Sequence, residues 1–329
     1  MSERTVIAHR ELPFDAEQWA RLRAAIGADR LITVPQQDGD AVGEALRDAE
    51  IAILTGDLDE RFLAAPGLRW VHCDHAGLTK SARPGVFEKG LIVTGSAGRS
   101  GPALAEHAIM FMLLLCSNYP AFYEAQKGRR WRGVPGMEQL RALYGRTIGI
   151  LGMGHTGTEL AVRAKAFGMH VLGYRRRDLP LPLGVDRMYC SDRGETIRPI
   201  LEQCDVLALV LNLSDATYRL IGRDELARMK PSAILVNLSR GGVCDESALI
   251  EALENGRLAG AGLDVTETEP LPSSSPLWTT RNVLITPHFT PAMPDKSERS
   301  LAVILDNLQR FREGRPMRNQ ITKDDVFTH

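Results

Sequence analysis

Little in this sequence suits a membrane, a nucleic acid or an oxidising compartment. Five cysteines in 329 residues, an odd number with no C-x-x-C or C-x-x-H spacing, exclude a disulfide framework and a structural zinc site, and no metal is expected. The longest apolar run, 108–116, is half the length that a membrane span needs. The opening MSERTVIAHRELPFD holds no apolar stretch flanked like a secretory signal, so a cytoplasmic location is expected. Excess charge of either sign is missing too. The 40 Lys and Arg against 41 Asp and Glu leave a net −1, so neither nucleic acid nor an anionic membrane is an expected partner. Low-complexity segments and solenoid-period repeats are absent. What is present is a chain 44% apolar with 30 glycines, ample for sizeable cores and about two domains long.

Short β-rich runs alternate with helical ones, the pattern of parallel sheets covered by helices. Strands are expected near Thr5–His9, Leu31–Val34, 51–55, 69–73 and 91–94, with helices Ala16–Ile26 and 41–49 between the first three. A second series starts at Thr147–Leu151 and continues through 170–174, 205–211, 233–238, 260–265 and 283–286. The fold class is therefore α/β, with two doubly wound parallel-sheet domains. Gly101-Pro102 precedes an apolar helix over 103–118, and a Pro-rich spot at 291–294 precedes a helix over 296–312. Read as hinges, they give a discontinuous substrate-binding domain, 1–101 plus 296–329, and an inserted dinucleotide-binding domain, 102–295.

The clearest motif is TIGILGMGHTGTELAVRAKAFGMHVLGYRRR, a strand, then Gly152-x-Gly154-x-x-Gly157, then a helix and a second strand. Gly152 permits the tight turn, Gly154 lets the backbone approach a pyrophosphate, and Gly157 lets helix and strand pack closely. The helix N-terminus, around His155 and Thr156, offers N–H groups and partial positive charge to the phosphates. A carboxylate at the end of the second strand is the usual partner of the NAD ribose 2′-hydroxyl. Here Arg175, Arg176 and Arg177 hold that place; guanidinium groups pair with a 2′-phosphate that an acid repels. NADP(H) is therefore expected over NAD(H), with Asp178, further along, as the residue that argues for NAD.

Ligands in open α/β sheets sit at the carboxyl ends of strands. Three segments end later strands: VNLSRGGVCDESAL (236–249), AGAGLDVTETEPLP (259–272) and PLWTTRNVLITPHFT (276–290). They place Arg240, Glu269 and His288 where one cleft can collect them. These segments are where the chain resembles the D-isomer-specific 2-hydroxyacid dehydrogenase family, glyoxylate/hydroxypyruvate reductase-type members in particular. The N-x-x-R-G strand end, the L-D-V…E-P-L turn and the T-P-H turn occur in order, and Leu143–Thr147, Ala105-Glu106-His107 and Pro276-Leu277-Trp278 agree as well. The match covers most of 70–315.

The resemblance implies a flavodoxin-like substrate domain, an inserted Rossmann domain, a dimer through the nucleotide domain, and a set of roles. Arg240 would grip the substrate's carboxylate and keto oxygen. His288 would exchange a proton with the C2 oxygen, and Glu269 would fix the tautomer from the other ring nitrogen. Asp264 would orient the nicotinamide, and the loop His75-Ala76-Gly77 would turn backbone N–H groups to the substrate carboxylate. Departures concern the substrate: Thr156 and Asn212 stand where the family usually has an aliphatic residue and a proline, Arg99 is offered to an acidic substrate tail, and Phe289-Thr290 to the side-chain pocket. His107 is expected to pack at a boundary, and His72, Cys73 and Cys244 to be ordinary buried residues. The expected activity is hydride transfer between NADP(H) and a small 2-oxo or D-2-hydroxy acid, such as glyoxylate or hydroxypyruvate. Two alternatives stay open: a formate- or phosphite-type dehydrogenase on the same fold, and a non-catalytic NAD(P)H-responsive corepressor-like protein.

Overall fold

The computed structural model describes residues 5–289 and 292–329. The chain divides into two compact units, one holding the chain through Arg99 together with Ala292–His329, the other starting at Ser100. The first unit runs β1 (Thr5–His9), α1 (Ala16–Ile26), β2 (Leu31–Val34), α2 (Gly39–Ala45), β3 (Ala49–Leu54), α3 (Glu60–Ala64), β4 (Trp70–Cys73), α4 (Pro84–Glu88) and β5 (Ile92–Gly95). The second runs α5 (Gly101–Cys116), α6 (Tyr119–Lys127), β6 (Thr147–Leu151), α7 (His155–Ala166), β7 (His170–Arg175), β8 (Arg187–Cys190), α8 (Arg198–Gln203), β9 (Val206–Leu209), α9 (Arg223–Arg228), β10 (Ile234–Asn237), α10 (Glu246–Glu254), β11 (Gly260–Leu263) and β12 (Val283–Ile285). The chain then returns to the first unit as α11 (Lys296–Glu313).

The first unit's sheet is parallel in the order β2-β1-β3-β4-β5, the flavodoxin-like arrangement. Its inner strands are buried on both faces, and alternation sends Val6 and Ala8 of β1 to one core, with Trp70, Leu301 and Leu308, and Ile7 to the other, with Phe62 and Val71. Helix α1 starts at a capping box, Asp15 accepting from the Gln18 N–H at 2.8 Å while its own N–H donates to Gln18 Oε1 at 3.1 Å.

The second unit's sheet is parallel in the order β12-β11-β10-β9-β6-β7-β8, a Rossmann order with one strand added beyond β11. Phe111, on α5, is buried against Gly262 of β11, where a Cβ would come within 2.7 Å of the Phe111 Cβ. Strand β8 is the element that periodicity does not reveal. RMYC is four residues long without a clean alternation, and it follows LPLPLG (179–184), a turn-forming lead-in.

One polar chain runs through the first core. His72 is fully buried on β4, Nδ1 lying 3.0 Å from Thr94 Oγ1 and Nε2 3.0 Å from Ser96 Oγ. Burial pushes its pKa down to about 4, against the opposing pull of the Asp74 charge. The unfolded chain therefore binds a proton that the folded chain refuses between the ordinary value of 6.5 and about 4. In that window stability falls as pH falls, by about 3 kcal/mol in all. In denaturant titrations of wild type and His72→Gln at pH 7 and pH 4.5, the variant is expected to lose less stability on acidification. Equal losses contradict a neutral, buried His72.

Candidate active site

All strands of the second sheet point the same way, so their carboxyl ends share one edge. The sheet order reverses between β6 and β9, and the glycine turn sits there. Gly152 has a φ of +101°, and a Cβ on it would come within 2.6 Å of the Val210 carbonyl oxygen beyond β9. A Cβ on Gly157 would overlap the Gly152 carbonyl, so both residues are held to glycine by the close passage of helix over turn. Gly154 caps α7 and is exposed, with nothing within 4 Å of where a Cβ would stand, an open cradle. His155, Thr156 and Gly157 form the first turn, whose N–H groups point along the axis out of the helix end. A dinucleotide pyrophosphate fits this end.

Arg175 closes β7 half-buried, its Nη2 donating to the backbone carbonyls of Leu179 and Pro180. Arg176 and Arg177 follow, exposed. Asp178 lies three residues past the strand and is taken by Arg193, Nη1 to Oδ1 at 2.8 Å. The carboxylate that argued for NAD is thus engaged elsewhere. Asn212 is exposed beyond β9, its carbonyl accepting from Thr217 Oγ1 at 2.7 Å.

On the other side of the turn, the strand ends build a second constellation. Asn237, at the end of β10 and 1% exposed, accepts from the Ser239 N–H and Oγ at 3.0 and 2.7 Å and donates to the Arg240 carbonyl at 3.1 Å. That brace presents Arg240, whose Nη1 donates to the Ser239 carbonyl at 2.7 Å. A Cβ on Gly241 would overlap the Thr266 carbonyl, so the Arg240 loop lies directly on the loop that carries Glu269. The two loops are also clasped by exchanged bonds, Glu246 N–H to Glu267 Oε1 at 3.3 Å and Glu267 N–H to Glu246 Oε2 at 3.1 Å. Burial, countered by the Glu267 N–H, holds the Glu246 carboxyl above its ordinary value.

Glu269 and His288 meet. His288 Nδ1 lies 2.7 Å from Glu269 Oε2, and Glu269 Oε1 accepts from the Thr266 N–H at 3.1 Å. Both carboxylate oxygens are therefore occupied, Nδ1 carries the proton that points at Glu269, and Nε2 is the ring nitrogen that Glu269 does not engage. His288 adopts a left-handed φ of +50°, which costs a non-glycine residue energy and has to be held from outside. Asp264, 2% exposed, does so: its carbonyl accepts from the His288 N–H at 2.8 Å and its Oδ1 from the Phe289 N–H at 3.0 Å. Phe289 is exposed; Thr290, its companion in the expected pocket, lies outside the described residues.

Sequence reading missed two members of this arrangement. Thr286 Oγ1 donates to Asp264 Oδ1 at 2.5 Å, and His107 Nε2, from α5, lies 3.0 Å from the same hydroxyl. Because the hydroxyl's single proton goes to Asp264, His107 has to donate from Nε2. His107, expected to pack at a boundary, is buried in the second unit as the far end of this chain. The motif Ala105-Glu106-His107 was visible in the sequence; its partner, 179 residues away, was not.

His75, Ala76 and Gly77 belong to the first unit, following β4. Arg99, offered to a substrate tail, is instead paired there with Asp74, Nη1 to Oδ2 at 2.7 Å. Burial pushes the Cys73 thiol up to about 12 and raises that of Cys244, so neither is a nucleophile near neutral pH. Among the described residues, no group of three or more His, Cys, Asp or Glu forms a cluster able to hold a metal ion, and no helix is long and apolar enough to cross a membrane.

The sequence model of the NAD-binding domain of D-isomer specific 2-hydroxyacid dehydrogenases matches residues 109–290. A glyoxylate reductase of Korarchaeum cryptofilum is 35% identical over 285 residues, 85% of this chain and 84% of its own. The chain belongs to the D-isomer specific 2-hydroxyacid dehydrogenase family. Glyoxylate/hydroxypyruvate reductase B of Yersinia pestis is 32% identical over 329 residues, 99% of both chains. Among solved structures, a D-isomer specific 2-hydroxyacid dehydrogenase of Xanthobacter autotrophicus in complex with NADPH and MES superposes with a TM-score of 0.81 at 26% identity, covering 98% of this chain and 99% of that one. This dehydrogenase is therefore a nicotinamide-dependent oxidoreductase of small 2-hydroxy and 2-oxo acids.

Replacing Thr286 with Val removes the link between Asp264 and His107 while keeping the volume. Turnover of a 2-oxo acid is expected to fall about tenfold, with the cofactor dissociation constant unchanged and Thr286→Ser restoring the rate. Turnover equal to wild type contradicts a role for the chain in holding His288.

Proposed function

We propose that this dehydrogenase is an NADPH-preferring reductase of small 2-oxo acids, glyoxylate or hydroxypyruvate in type, that yields D-2-hydroxy acids. The observation that carries the reading is the His288–Glu269 contact at 2.7 Å beside the Arg240 loop, on the sheet edge that also holds the glycine turn. Held at this edge, a nicotinamide would supply the hydride that C2 of the substrate takes up. His288 Nε2, protonated, gives its proton to the C2 oxygen, while Nδ1–H stays on Glu269 and keeps the ring oriented. Arg240 grips the substrate carboxylate and keto oxygen through its planar fork. Asp264 orients the nicotinamide, and in the first unit the 75–77 loop is assigned to the substrate carboxylate through the Ala76 and Gly77 N–H groups, the His75 N–H being given to the Cys73 carbonyl at 2.7 Å.

NADPH over NADH is supported by Arg175, Arg176 and Arg177 at the end of β7 and by the engagement of Asp178 with Arg193. The phosphates take Gly152, Gly154, His155, Thr156 and Gly157, with Asn212 on the facing strand end. The substrate class is supported by the full-length similarity to a protein named glyoxylate/hydroxypyruvate reductase B.

The steady-state test offers NADPH and NADH with glyoxylate, hydroxypyruvate, pyruvate and branched 2-oxo acids, and NADP⁺ with formate and phosphite, to wild type and His288→Gln. Wild type is expected to reduce glyoxylate or hydroxypyruvate best, with kcat/KM at least about tenfold higher for NADPH, a margin that a charge-assisted contact supplies. His288→Gln should lower kcat by about 10²–10⁴ with NADPH affinity unchanged. Turnover of formate or phosphite instead, equal use of NADH, or tight NADPH binding without turnover each contradicts part of the reading.

The second unit also exposes Met110 and Leu113 on α5, Tyr119 and Tyr123 on α6, Trp131 at 93% and Tyr144 at 81%. These exposed apolar side chains support a homodimer through the nucleotide-binding unit. Light scattering of the purified protein is expected to give twice the 36.2 kDa chain mass, and Trp131→Glu to shift it toward one. A wild-type monomer contradicts the dimer.

A further inference from the structure

The buried polar chain of the first unit is directed, and it ends on the loop that the proposed function assigns to the substrate carboxylate. Trp70 Nε1 donates to Thr94 Oγ1 at 2.8 Å, leaving the Thr94 proton for His72 Nδ1 at 3.0 Å. Ser96 Oγ gives its proton to Asp74 Oδ1 at 2.6 Å, so it accepts from His72 Nε2 at 3.0 Å. Each hydroxyl has one proton, so the donors run one way, from Trp70 to the Asp74 carboxylate, and His72 is fixed as the neutral Nε2–H tautomer. The other Asp74 oxygen is paired with Arg99 Nη1 at 2.7 Å; the same nitrogen donates to Ser300 Oγ of α11 at 3.2 Å. Asp74 is 2% exposed, Thr94, Ser96 and Ser300 are fully buried, and a charge so placed is tolerable only while paired.

This chain fixes the entry to residues 75–77. Asp74 N–H donates to the Leu54 carbonyl at 2.7 Å, and Ser96 N–H to the His75 carbonyl at 3.0 Å. Ser96 therefore holds both the Asp74 side chain and the His75 backbone. A Cβ on Gly95 would stand 2.7 Å from that same His75 carbonyl, so the loop lies on the end of β5 with no room to spare. Beyond the loop, the Ser81 and Ala82 N–H groups close on the Leu78 carbonyl at 3.0 and 2.8 Å, and Ser81 Oγ donates to Asp57 Oδ1 at 2.6 Å.

We propose that Arg99, Asp74, Ser96 and His72 form a positioning frame for the 75–77 loop, and that Arg99, without touching substrate, sets the affinity for the substrate carboxylate. The proposal rests on the reading that residues 75–77 bind that carboxylate. The frame holds backbone and supplies neither hydride nor proton, so its loss belongs in KM rather than kcat.

The test compares wild type, Arg99→Gln, Arg99→Lys and the milder Ser96→Ala in glyoxylate reduction with NADPH, and follows amide exchange of a peptide spanning 74–80. Arg99→Gln is expected to raise the KM for glyoxylate about tenfold, with kcat within about twofold and the KM for NADPH unchanged; Arg99→Lys should recover most of the loss. Ser96→Ala should raise the same KM about threefold. Exchange over 74–80 should quicken in Arg99→Gln while that of β1 stays as in wild type. Unchanged exchange over 74–80 overturns the frame, whatever the activity. Quickened exchange with an unchanged KM for glyoxylate, or with no wild-type turnover of it, locates the failure in the assignment of 75–77 to the carboxylate, and the inference falls with it. Equal losses in kcat, in KM for glyoxylate and in KM for NADPH also overturn it.

Discussion

The hydrogen bond between His288 Nδ1 and Glu269 Oε2 is the contact around which the second unit's strand ends are arranged. It decides that Nε2 is the ring nitrogen not engaged by Glu269, and neither residue holds the contact alone. Glu269 is steered by the Thr266 N–H, in a loop pressed against Gly241 and clasped to Glu246. His288 sits in a left-handed turn that Asp264 stabilises from below with backbone and side chain. Asp264 is in turn oriented by Thr286 and His107. Three strand ends and one helix thus converge on the orientation of a single imidazole, the preorganisation that a proton-exchanging group needs.

The two units use the same physical device. Each buries an aspartate, Asp264 or Asp74, at a strand end, bonds it to one hydroxyl whose single proton fixes the direction of the next bond, and runs from there to a histidine. In a low-dielectric interior such chains are stiff when every member is satisfied and costly when one is removed. They hold backbone rather than react. In the second unit the held backbone is the His288 turn, and in the first it is the entry to residues 75–77.

Much of this was legible in the sequence, for identifiable reasons. The strands of both sheets announce themselves as apolar runs because parallel strands are buried on both faces. The glycine turn is local, three residues whose roles follow from one backbone path, and Gly152 and Gly157 stand where that path leaves no room for a Cβ. Arg240, Glu269 and His288 could be placed on one sheet edge from the sequence because each follows a readable strand. What escaped was what depends on distance along the chain. His107 and Thr286 are 179 residues apart, and Arg99 and Ser300 are 201. Nothing local marks a threonine in T-P-H as the bridge to a helix, or an arginine at the end of a unit as the partner of a buried aspartate. Strand β8 escaped for the opposite reason: four residues behind a Pro-rich lead-in carry too little pattern of their own.

In the proposed mechanism Glu269 works only through His288. A double-mutant cycle on kcat for glyoxylate reduction, with Glu269→Gln and His288→Gln alone and together, measures this directly. Glu269→Gln is expected to lower kcat at least about tenfold in wild type and to change it by less than about twofold once His288 is Gln. Losses that multiply in the double variant would contradict it, because the carboxylate would then be acting somewhere other than on the imidazole.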